Sequence, residues 1–166
     1  MPTEGDPKGP GIVDRLGRLG RLATSGFALP LHFRYQTPTY LFQTFPAAWV
    51  ETYARGGLLL RDPVVRWSLG HVGVTTWADL ERDDPDGVMA LARTFGLAHG
   101  VVISLDRGGG RSLASIARHD RPLSPEETAE AVEHAETLHD ATAGAAPLSA
   151  ETRSQLRRMS IAFTHP

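Results

Sequence analysis

The sequence predicts an α+β protein, an α-β-α sandwich in which helices cover both faces of a central antiparallel sheet. Two short apolar runs, Val101–Leu105 and Leu113–Ala117, flank the glycine-rich segment Arg107–Arg111 and predict a β-hairpin. Helical patterns precede and follow the strand patterns, without long βαβ alternation. Together these features favour an antiparallel sheet with helices packed against it.

The first quarter of the chain predicts one helix and two strands. Residues 1–11 are rich in Gly, Pro and charge, which predicts a disordered N-terminal segment. Ile12–Ala23 has apolar side chains at helical spacing beside a row of arginines, which is typical of an amphipathic helix with a solvated basic face. Two extended segments follow, Ala28–Tyr35 and Thr39–Phe42, with a break expected at Thr37-Pro38.

Helix start and stop signals mark three helices in the middle of the chain. Pro46 suits the first position of a helix, and Gly56-Gly57 would end it. Asp62-Pro63 predicts the N-cap and first residue of a second, short helix. Asp84-Pro85 repeats this arrangement ahead of a third helix over Gly87–Phe95.

Two more helices are predicted near the C-terminus. Ser124–Glu127 is a capping box, which starts a long helix that continues to about Ala143. Residues 144–147 are Gly-Ala-Ala-Pro and break it. Ser149 then caps a last helix that runs to about Ile161.

Composition excludes several functional classes. The chain has 166 residues, of which 41% are hydrophobic, enough for one domain with a real core. Its formal net charge of −2 gives no electrostatic reason to expect nucleic acid or an anionic membrane as a partner. It has no cysteine, and its apolar runs are far shorter than a membrane span. The expected location is the cytoplasm.

An aromatic motif followed by a carboxylate is the most informative part of the chain. Phe45, Trp49 and Tyr53 are spaced four apart, so on a helix they would face one side. Asp62 follows Tyr53 by nine residues, and Trp77 follows Asp62 by fifteen. Aromatic side chains around a single carboxylate suit a pocket for an apolar ligand with one polar anchor. Spacing alone is also compatible with ordinary core aromatics and a helix-capping aspartate.

The order and spacing of this motif resemble the autoinducer-binding domain of LuxR-type quorum-sensing regulators. That domain reads Tyr-Pro-x-x-Trp-x-x-x-Tyr, then Asp-Pro, then Trp, and it binds N-acyl homoserine lactones. The resemblance implies a roughly five-stranded antiparallel sheet with the ligand between sheet and helices. It also implies a sensor domain over residues 12–143, followed at 144–166 by a linker and a short terminal helix.

The resemblance implies a role for each motif residue. The aspartate, Asp62, would accept a hydrogen bond from the ligand's amide N–H, and Trp49 would donate its indole N–H to the lactone carbonyl. Tyr53 and Trp77 would line the pocket. The alternative for Asp62 is a purely structural role, in which its carboxylate only caps the helix that begins at Pro63. The complete set of expected ligand-binding residues is Phe45, Trp49, Tyr53, Asp62, Val65, Trp77 and Ile116.

Two positions depart from the family pattern. Phe45 stands where the family usually has tyrosine, so the hydroxyl that would bond the acyl carbonyl is missing. In the second hairpin strand the family often has Ser or Thr, and the match here falls on Ile116. A shift of one residue would place Ser115 there and reverse the face of the strand. The ligand is therefore either a lactone with a different acyl pattern or another signal.

The end of the chain bears on DNA binding. Full-length family members continue into a helix-turn-helix, and Leu148–Leu156 resembles an altered opening of that unit. Ten residues follow Leu156, too few for a recognition helix. The expectation is that this chain does not bind DNA directly and that it acts, as a homodimer or as a heterodimer with a LuxR-type regulator, through protein contact.

Signals for catalysis are weak. Gly108–Gly110 lacks the lysine of a phosphate-binding loop, the seven histidines show no metal-ligand spacing, and no serine lies in a nucleophile elbow. No enzyme activity, cofactor or metal is therefore expected. Three hypotheses remain: a signal-binding sensor, an interaction protein that pairs with and blocks full-length regulators, and a lactone hydrolase, which the absence of a visible nucleophile or metal set disfavours.

Overall fold

The computed structural model describes residues 9–34, 37–144 and 147–165. The α-helices are α1 Gly9–Leu22, α2 Ala47–Arg55, α3 Pro63–Gly70, α4 Trp77–Leu80, α5 Val88–Arg93, α6 Pro125–Ala141 and α7 Ala150–Arg158. The strands are β1 Gly26–Arg34, β2 Thr37–Gln43, β3 Gly73–Thr76, β4 His99–Arg107, β5 Gly110–Arg118 and β6 Ala162–Thr164. Short 3-10 helices cover Leu58–Arg61 and Glu81–Asp83.

The strands form one sheet in the order β3-β4-β5-β1-β2-β6, and every neighbouring pair is antiparallel. The predicted α+β sandwich is confirmed, with six strands where the resemblance implied about five. The sequence pattern predicted neither of the two short edge strands, β3 and β6; β6 pairs with β2 over Leu41–Gln43. A strand of three residues shows no alternating pattern that sequence analysis can detect.

The β4–β5 hairpin fixes the centre of the sheet. Its register runs without interruption from His99 opposite Arg118 to Arg107 opposite Gly110. The two turn residues Gly108 and Gly109 have φ of 62° and 79°. Both values lie in the left-handed region that a two-residue hairpin turn requires and that glycine adopts without strain.

One face of the sheet is covered by α1, α6 and α7. Leu16 and Leu19 of α1, Leu138 of α6 and Leu156 of α7 are fully buried against strand residues such as Ile116. A capping box starts α6 as predicted, because Ser124 and Glu127 bond each other's backbone N–H groups. We refer to this side as the aliphatic face.

The opposite face is covered by α2, α3, α4 and α5. Its buried cluster contains Trp49, Val64, Trp77 and Met89, packed on strand residues such as Val102. The side chains that cover this side come from the middle of the chain, where the aromatic motif lies. We refer to this side as the aromatic face.

Several predicted boundaries shift in the structure. Helix α1 begins at Gly9, three residues before Ile12, while residues 1–8 of the segment expected to be disordered lie outside the described part of the chain. Thr37 and Pro38 belong to β2 and are paired with β1, so the break predicted there is wrong. Residues 145 and 146 of the predicted linker are also outside the described residues.

Candidate functional site

The aromatic motif is gathered on one side of the sheet, but only part of it is helical. Trp49 is buried, and its ring centroid lies 5.6 Å from that of Tyr53, edge to face, and 5.4 Å from that of Phe95. Phe45 packs against the same cluster from the loop before α2. The expectation that all three motif aromatics share a helix is thus wrong for Phe45, because the helix begins only after Pro46.

The carboxylate of Asp62 has two partners. Its Oδ1 accepts the backbone N–H of Val64 at 2.9 Å, which caps α3, and its Oδ2 accepts the hydroxyl of Tyr53 at 2.8 Å. The capping role is therefore real, and it leaves the second oxygen facing the aromatic ring system. Because each carboxylate oxygen has two lone pairs, Asp62 can still accept a further donor.

Burial controls the ionisation of this pair. It raises the pKa of the Asp62 carboxyl above its usual range, and the hydrogen bonds from Tyr53 and Val64 partly oppose that change. Burial also raises the pKa of the Tyr53 phenol, and the negative charge of Asp62 adds to the effect. Tyr53 therefore remains a neutral hydrogen-bond donor, and Asp62 is a partly desolvated acceptor.

Trp77 is the second indole of the site and lies directly on the sheet. It is buried at the start of α4, against Gly100 of β4. A Cβ atom at position 100 would lie 2.5 Å from Cε2 of Trp77 and 2.7 Å from the Ile116 carbonyl oxygen. Sequence reasoning did not identify Gly100, although a glycine inside a strand is a signal of close approach by another group.

A polar atom is left unsatisfied at this position. The indole Nε1 of Trp77 is buried and has no hydrogen-bond partner among the described residues. A buried N–H without an acceptor is unfavourable by about 1–3 kcal/mol, so native structures usually satisfy it. A bound molecule that presents an acceptor would remove this deficit.

Ile116 lies apart from the other expected ligand-binding residues. It is fully buried within the aliphatic-face cluster, on the side of the sheet away from Trp49 and Trp77. Its neighbour Ser115 pairs with Val102, whose side chain lies on the aromatic face, so Ser115 faces the site. Side chains alternate along a strand, so the one-residue shift places the hydroxyl on the aromatic face.

Helix α3 also differs in detail from the expectation. The α3 side chain that joins the aromatic cluster is Val64, with Trp67 packed against it, whereas Val65 is half-buried and lies outside the cluster. The C-terminal end of α3 is held to the sheet through the carbonyl oxygen of Ser68. That oxygen accepts from Nη1 of Arg111 at 2.5 Å and from the hydroxyl of Ser104 at 2.9 Å.

The hydrogen bonds that Arg111 and Ser104 donate to the Ser68 carbonyl were not predicted, because they join residues distant in sequence. Arg111 also donates to the carbonyl of His71, the residue after α3. With Asp62 fixed at the start of α3 and Ser68 fixed near its end, the helix has a defined distance from the sheet.

Among the described residues, no group of His, Asp or Glu side chains is arranged to hold a metal ion. No helix within those residues is long and apolar enough to cross a membrane.

These features define the class of domain: an α+β sandwich with an aromatic cluster between an antiparallel sheet and its covering helices. Comparison with known families agrees, since residues 23–145 match the model of the autoinducer binding domain. This match covers well over half of the chain. The chain belongs to the autoinducer-binding domain family of LuxR-type quorum-sensing regulators, a family of signal-binding regulator domains.

Relatives and solved structures are consistent with this assignment. The transcriptional activator protein SolR of Ralstonia solanacearum is 35% identical over 88 residues, which are 52% of this chain and 37% of SolR. The match thus spans well under half the length of that relative.

Among solved structures, Escherichia coli SdiA is similar with a TM-score of 0.60 and 18% identity, covering 95% of this chain and 73% of SdiA. SdiA in complex with octanoyl-rac-glycerol gives 0.59 and 18%, with 95% and 71% covered. CepR2 from Burkholderia cenocepacia, described as an N-acylhomoserine lactone dependent LuxR family factor, gives 0.53 and 16%, with 81% and 93% covered. At such identities these likenesses establish the fold alone.

Proposed function

We propose that the aromatic face binds an acyl homoserine lactone, or a molecule with a similar acyl chain, amide and polar head. The observation that carries this proposal is the half-buried carboxylate of Asp62, held by Tyr53 at the edge of a cluster that contains two tryptophans. A carboxylate in such surroundings is a strong acceptor for an amide N–H. The aromatic rings provide apolar surface for an acyl chain.

The polar contacts of this proposal can be assigned to individual atoms. The free lone pairs of Asp62 accept the ligand amide N–H, and Trp49 donates to the head group. Trp77 Nε1, buried without a partner among the described residues, donates to a second acceptor of the ligand. Ser115 takes the place first assigned to Ile116 and provides a hydroxyl for the acyl carbonyl, a contact that Phe45 lacks the group to make.

Two similar solved structures support the ligand class, and the molecule named with each one concerns that protein alone. One solved SdiA holds octanoyl-rac-glycerol, and CepR2 is described as dependent on N-acylhomoserine lactone. The two molecules share an acyl chain joined to a compact polar head. That shared chemistry fits an aromatic site with a few convergent polar groups, and it makes acyl lactones the first compounds to test on this chain.

The direct test is thermal stabilisation of the purified protein by a panel of N-acyl homoserine lactones of increasing chain length. A ligand at about 100 times its Kd should add about 2.7 kcal/mol to the free energy of unfolding, which is visible as a rise in Tm. Asp62→Asn should remove most of that rise, because the amide side chain can present an N–H where the ligand requires an acceptor.

A matched control comes from helix α5. Asp84 accepts the backbone N–H groups of Val88 and Met89 at 3.0 Å each, so Asp84→Asn also weakens a capping carboxylate but keeps the Asp62 carboxylate. It removes a negative charge that helps to raise the pKa of Asp62, which favours the ionised acceptor. The Asp84 variant should keep the ligand-induced rise in Tm. If no lactone stabilises the wild type, the ligand class is wrong. A gain of lactone binding in Phe45→Tyr would then attribute the difference to the missing hydroxyl.

A second candidate function is pairing with a full-length LuxR-type regulator, with or without ligand. The observation in its favour is a group of exposed apolar side chains beside edge strand β3: Leu69 is 56% exposed, Val72 62% and Val74 44%. Edge strands with exposed apolar residues are common sites of protein association. Such pairing would let this domain control the amount of active regulator.

Co-purification and size exclusion with a full-length LuxR-type protein from the same cell test the pairing. A complex that is weakened by Val72→Lys, and not by Leu60→Lys on the separate 3-10 helix, would support β3 as the contact. The absence of a complex at micromolar concentrations would rule this candidate out. That result would leave the ligand-binding proposal unaffected.

A further inference from the structure

Strand β1 changes the face of its side chains at His32. Before this residue, Phe27, Leu29 and Leu31 are buried in the aliphatic-face cluster at every second position. Continued alternation would place Phe33 on the same face. Instead, Phe33 packs against the aromatic cluster. The strand therefore reverses its alternation at His32 and sends the next side chain to the side of the proposed ligand site.

The backbone of His32 accounts for this reversal. Its φ is 55°, in the left-handed region that residues other than glycine adopt only where surrounding contacts hold them. The His32 N–H donates to the hydroxyl of Ser112 at 3.0 Å. The His32 carbonyl accepts from the hydroxyl of Thr39 at 3.2 Å. Side-chain hydroxyls thus hold both backbone polar groups of this residue.

The imidazole of His32 points to α6 and meets a second histidine there. Its Nε2 donates to the His139 carbonyl at 2.8 Å and lies 3.1 Å from the Thr142 hydroxyl. The ring centroids of His32 and His139 are 4.3 Å apart. A Cβ atom on Gly110 would lie 2.5 Å from Nδ1 of His32, so this ring is tightly enclosed. We refer to His32 and His139 as the histidine pair.

The contacts of the histidine pair fit neutral rings. Because the proton of neutral His32 is on Nε2, a second proton would be on Nδ1, which has no acceptor among the described residues. A second proton on His139 would reverse its hydrogen bond with Ser112. The hydroxyl that holds the His32 backbone N–H would then have to turn away. Protonation of either ring therefore disturbs the contacts that hold the left-handed backbone.

The charged groups near the pair are already paired with one another. Asp140, next to His139 on α6, pairs with the Arg107 guanidinium of β4 at 2.9 Å, and Glu136 pairs with the same guanidinium at 3.2 Å. Neither carboxylate bonds a ring of the histidine pair among the described residues. The β5 residues that face the pair are uncharged: Gly110 and Ser112.

Burial gives the direction of the pH response. It lowers the pKa of His32 below its ordinary value of 6.5, and the adjacent His139 ring adds to this change. The hydrogen bond to the His139 carbonyl and the charge of Asp140 partly oppose it. The unfolded chain thus binds a proton at a pH where folded His32 remains neutral. The contribution to stability is fully present above the unfolded-state pKa and is lost as pH falls towards the folded-state pKa.

We propose that His32 positions the ligand site of the aromatic face and that protonation of the histidine pair loosens this site. The proposal rests on the ligand-binding function proposed above. With neutral rings, the left-handed backbone at His32 keeps Phe33 in the aromatic cluster. Once the pair is protonated, this backbone relaxes, Phe33 leaves the cluster and ligand affinity falls. The coupling runs along β1, so truncation of an apolar side chain elsewhere on the aliphatic face leaves it intact.

The first test needs no ligand. NMR follows the indole N–H signals of the ¹⁵N-labelled protein and the ring signal of His32 from about pH 7.5 to about pH 5. The signals of Trp49 and Trp77, both in the aromatic cluster, should shift with the midpoint of His32. Trp67 is a poor reporter, because its ring stacks on that of His71. In Phe33→Leu, His32 should still titrate, but the Trp49 and Trp77 signals should no longer follow it.

A second variant removes the titrating group itself. His32→Asn deletes the imidazole and introduces a residue that adopts the left-handed region readily. The Trp49 and Trp77 signals should then lose the shift that follows His32. Any shift left in this variant belongs to Asp62, whose raised pKa brings its titration towards the same range. The matched control is His71→Asn, which removes another histidine from this side of the sheet and should keep the wild-type response.

Calorimetry with N-octanoyl homoserine lactone extends the test to binding. Wild-type affinity should fall by about threefold or more from about pH 7.5 to about pH 5.5, within the limit of about tenfold per pH unit for one coupled proton. In His32→Asn the fall should be less than about twofold. His71→Asn should match the wild type.

The outcomes separate this proposal from the ligand-binding function. Indole signals that follow His32 without any lactone binding would support the coupling and overturn the ligand class. Lactone binding that is lost in Asp62→Asn but equally pH-dependent in wild type and His32→Asn would support the ligand class and overturn the coupling. The coupling would also be overturned by indole signals that ignore His32, or by a His32 ring that does not titrate above about pH 5.

Discussion

The two faces of the sheet use the same strands but treat their buried polar groups differently. On the aliphatic face, His139 donates from Nε2 to the Arg107 carbonyl at 2.9 Å, because a carbonyl can only accept. In the neutral ring its Nδ1 then accepts the hydroxyl of Ser112 at 2.6 Å, and that hydroxyl oxygen accepts the backbone N–H of His32. These contacts form a closed network made by the protein alone. The exception on this side is the buried Nε2 of His165, just after β6 at the edge of the sheet, which has no partner among the described residues.

On the aromatic face the network is left open. Tyr53 and Val64 bond Asp62 but leave acceptor capacity on its carboxylate, and the indole N–H of Trp77 has no acceptor among the described residues. A closed network makes a stable core, whereas an open one provides groups for a ligand to complete. The comparison separates the face that holds the fold together from the face that we propose to be functional.

Leu138→Ala should have one of the two largest effects on stability. Leu138 of α6 is fully buried in the aliphatic cluster, so the truncation leaves a cavity and should lower the free energy of unfolding by about 2–5 kcal/mol. Urea denaturation measures the loss. Lactone affinity per folded molecule, measured by calorimetry, should stay at the wild-type value. A parallel loss of affinity would show that the two faces are coupled.

Gly100→Ala should have the next largest effect, on both stability and binding. The added methyl group would meet Trp77 and the Ile116 backbone at less than 3 Å, so one of them must move. We expect a loss of about 1–3 kcal/mol in the free energy of unfolding. Lactone affinity should fall as well, because Trp77 leaves its position.

Gly70→Ala is the matched control, since a Cβ atom at that position meets nothing within 4 Å. It should match or slightly exceed wild-type stability and retain ligand affinity. Equal behaviour of the two alanine variants would show that Gly100 does not position Trp77.

The pH dependence of stability should report on Asp62 specifically. Its pKa in the folded protein is raised above 3.8 by burial, so the folded state keeps the proton over a range in which the unfolded chain has lost it. The contribution of this group to stability is thus present at low pH and lost as pH rises through the folded-state pKa. Asp62→Asn lacks this titration.

The measurement is the difference in free energy of unfolding between wild type and Asp62→Asn, taken at several pH values from 3 upward. This difference should decrease with rising pH, by about 1.4 kcal/mol for each unit by which the pKa is raised, less whatever water screening removes. A difference that grows with pH would mean that the hydrogen bonds from Tyr53 and Val64 outweigh burial.

Ser115→Ala should have the smallest effect on stability, because within the described part of the chain the Ser115 hydroxyl has no hydrogen-bond partner to lose. We expect a change within about 0.5 kcal/mol in the free energy of unfolding. Lactone affinity should drop by about fivefold, as for one neutral hydrogen bond of about 1 kcal/mol.

Ile116→Ala, at the adjacent residue, should show the opposite pattern of effects on stability and ligand affinity. It should destabilise the fold by about 2–5 kcal/mol without a specific loss of affinity, because Ile116 is buried on the aliphatic face. If Ile116→Ala lowers affinity and Ser115→Ala does not, the assignment of the two residues to opposite faces is wrong.

Local signals in the sequence determined most of the secondary structure. The capping box at Ser124, the Asp62 cap of α3 and the glycine turn of the β4–β5 hairpin all form as predicted. Each depends on hydrogen bonds or backbone angles within a few residues, so the sequence pattern is sufficient. The aromatic motif was found in the same way, because its spacing and its resemblance to a family are properties of the chain alone.

Tertiary structure decided which of these residues meet. Pairing of β5 with β4 sets the register that places Ser115 on the aromatic face and Ile116 on the other, and a sequence pattern with apolar residues on both sides cannot specify it. The contact between Trp77 and Gly100, and the hold of Arg111 on Ser68, join residues more than twenty positions apart. Such contacts depend on how the elements pack, and no local propensity encodes them.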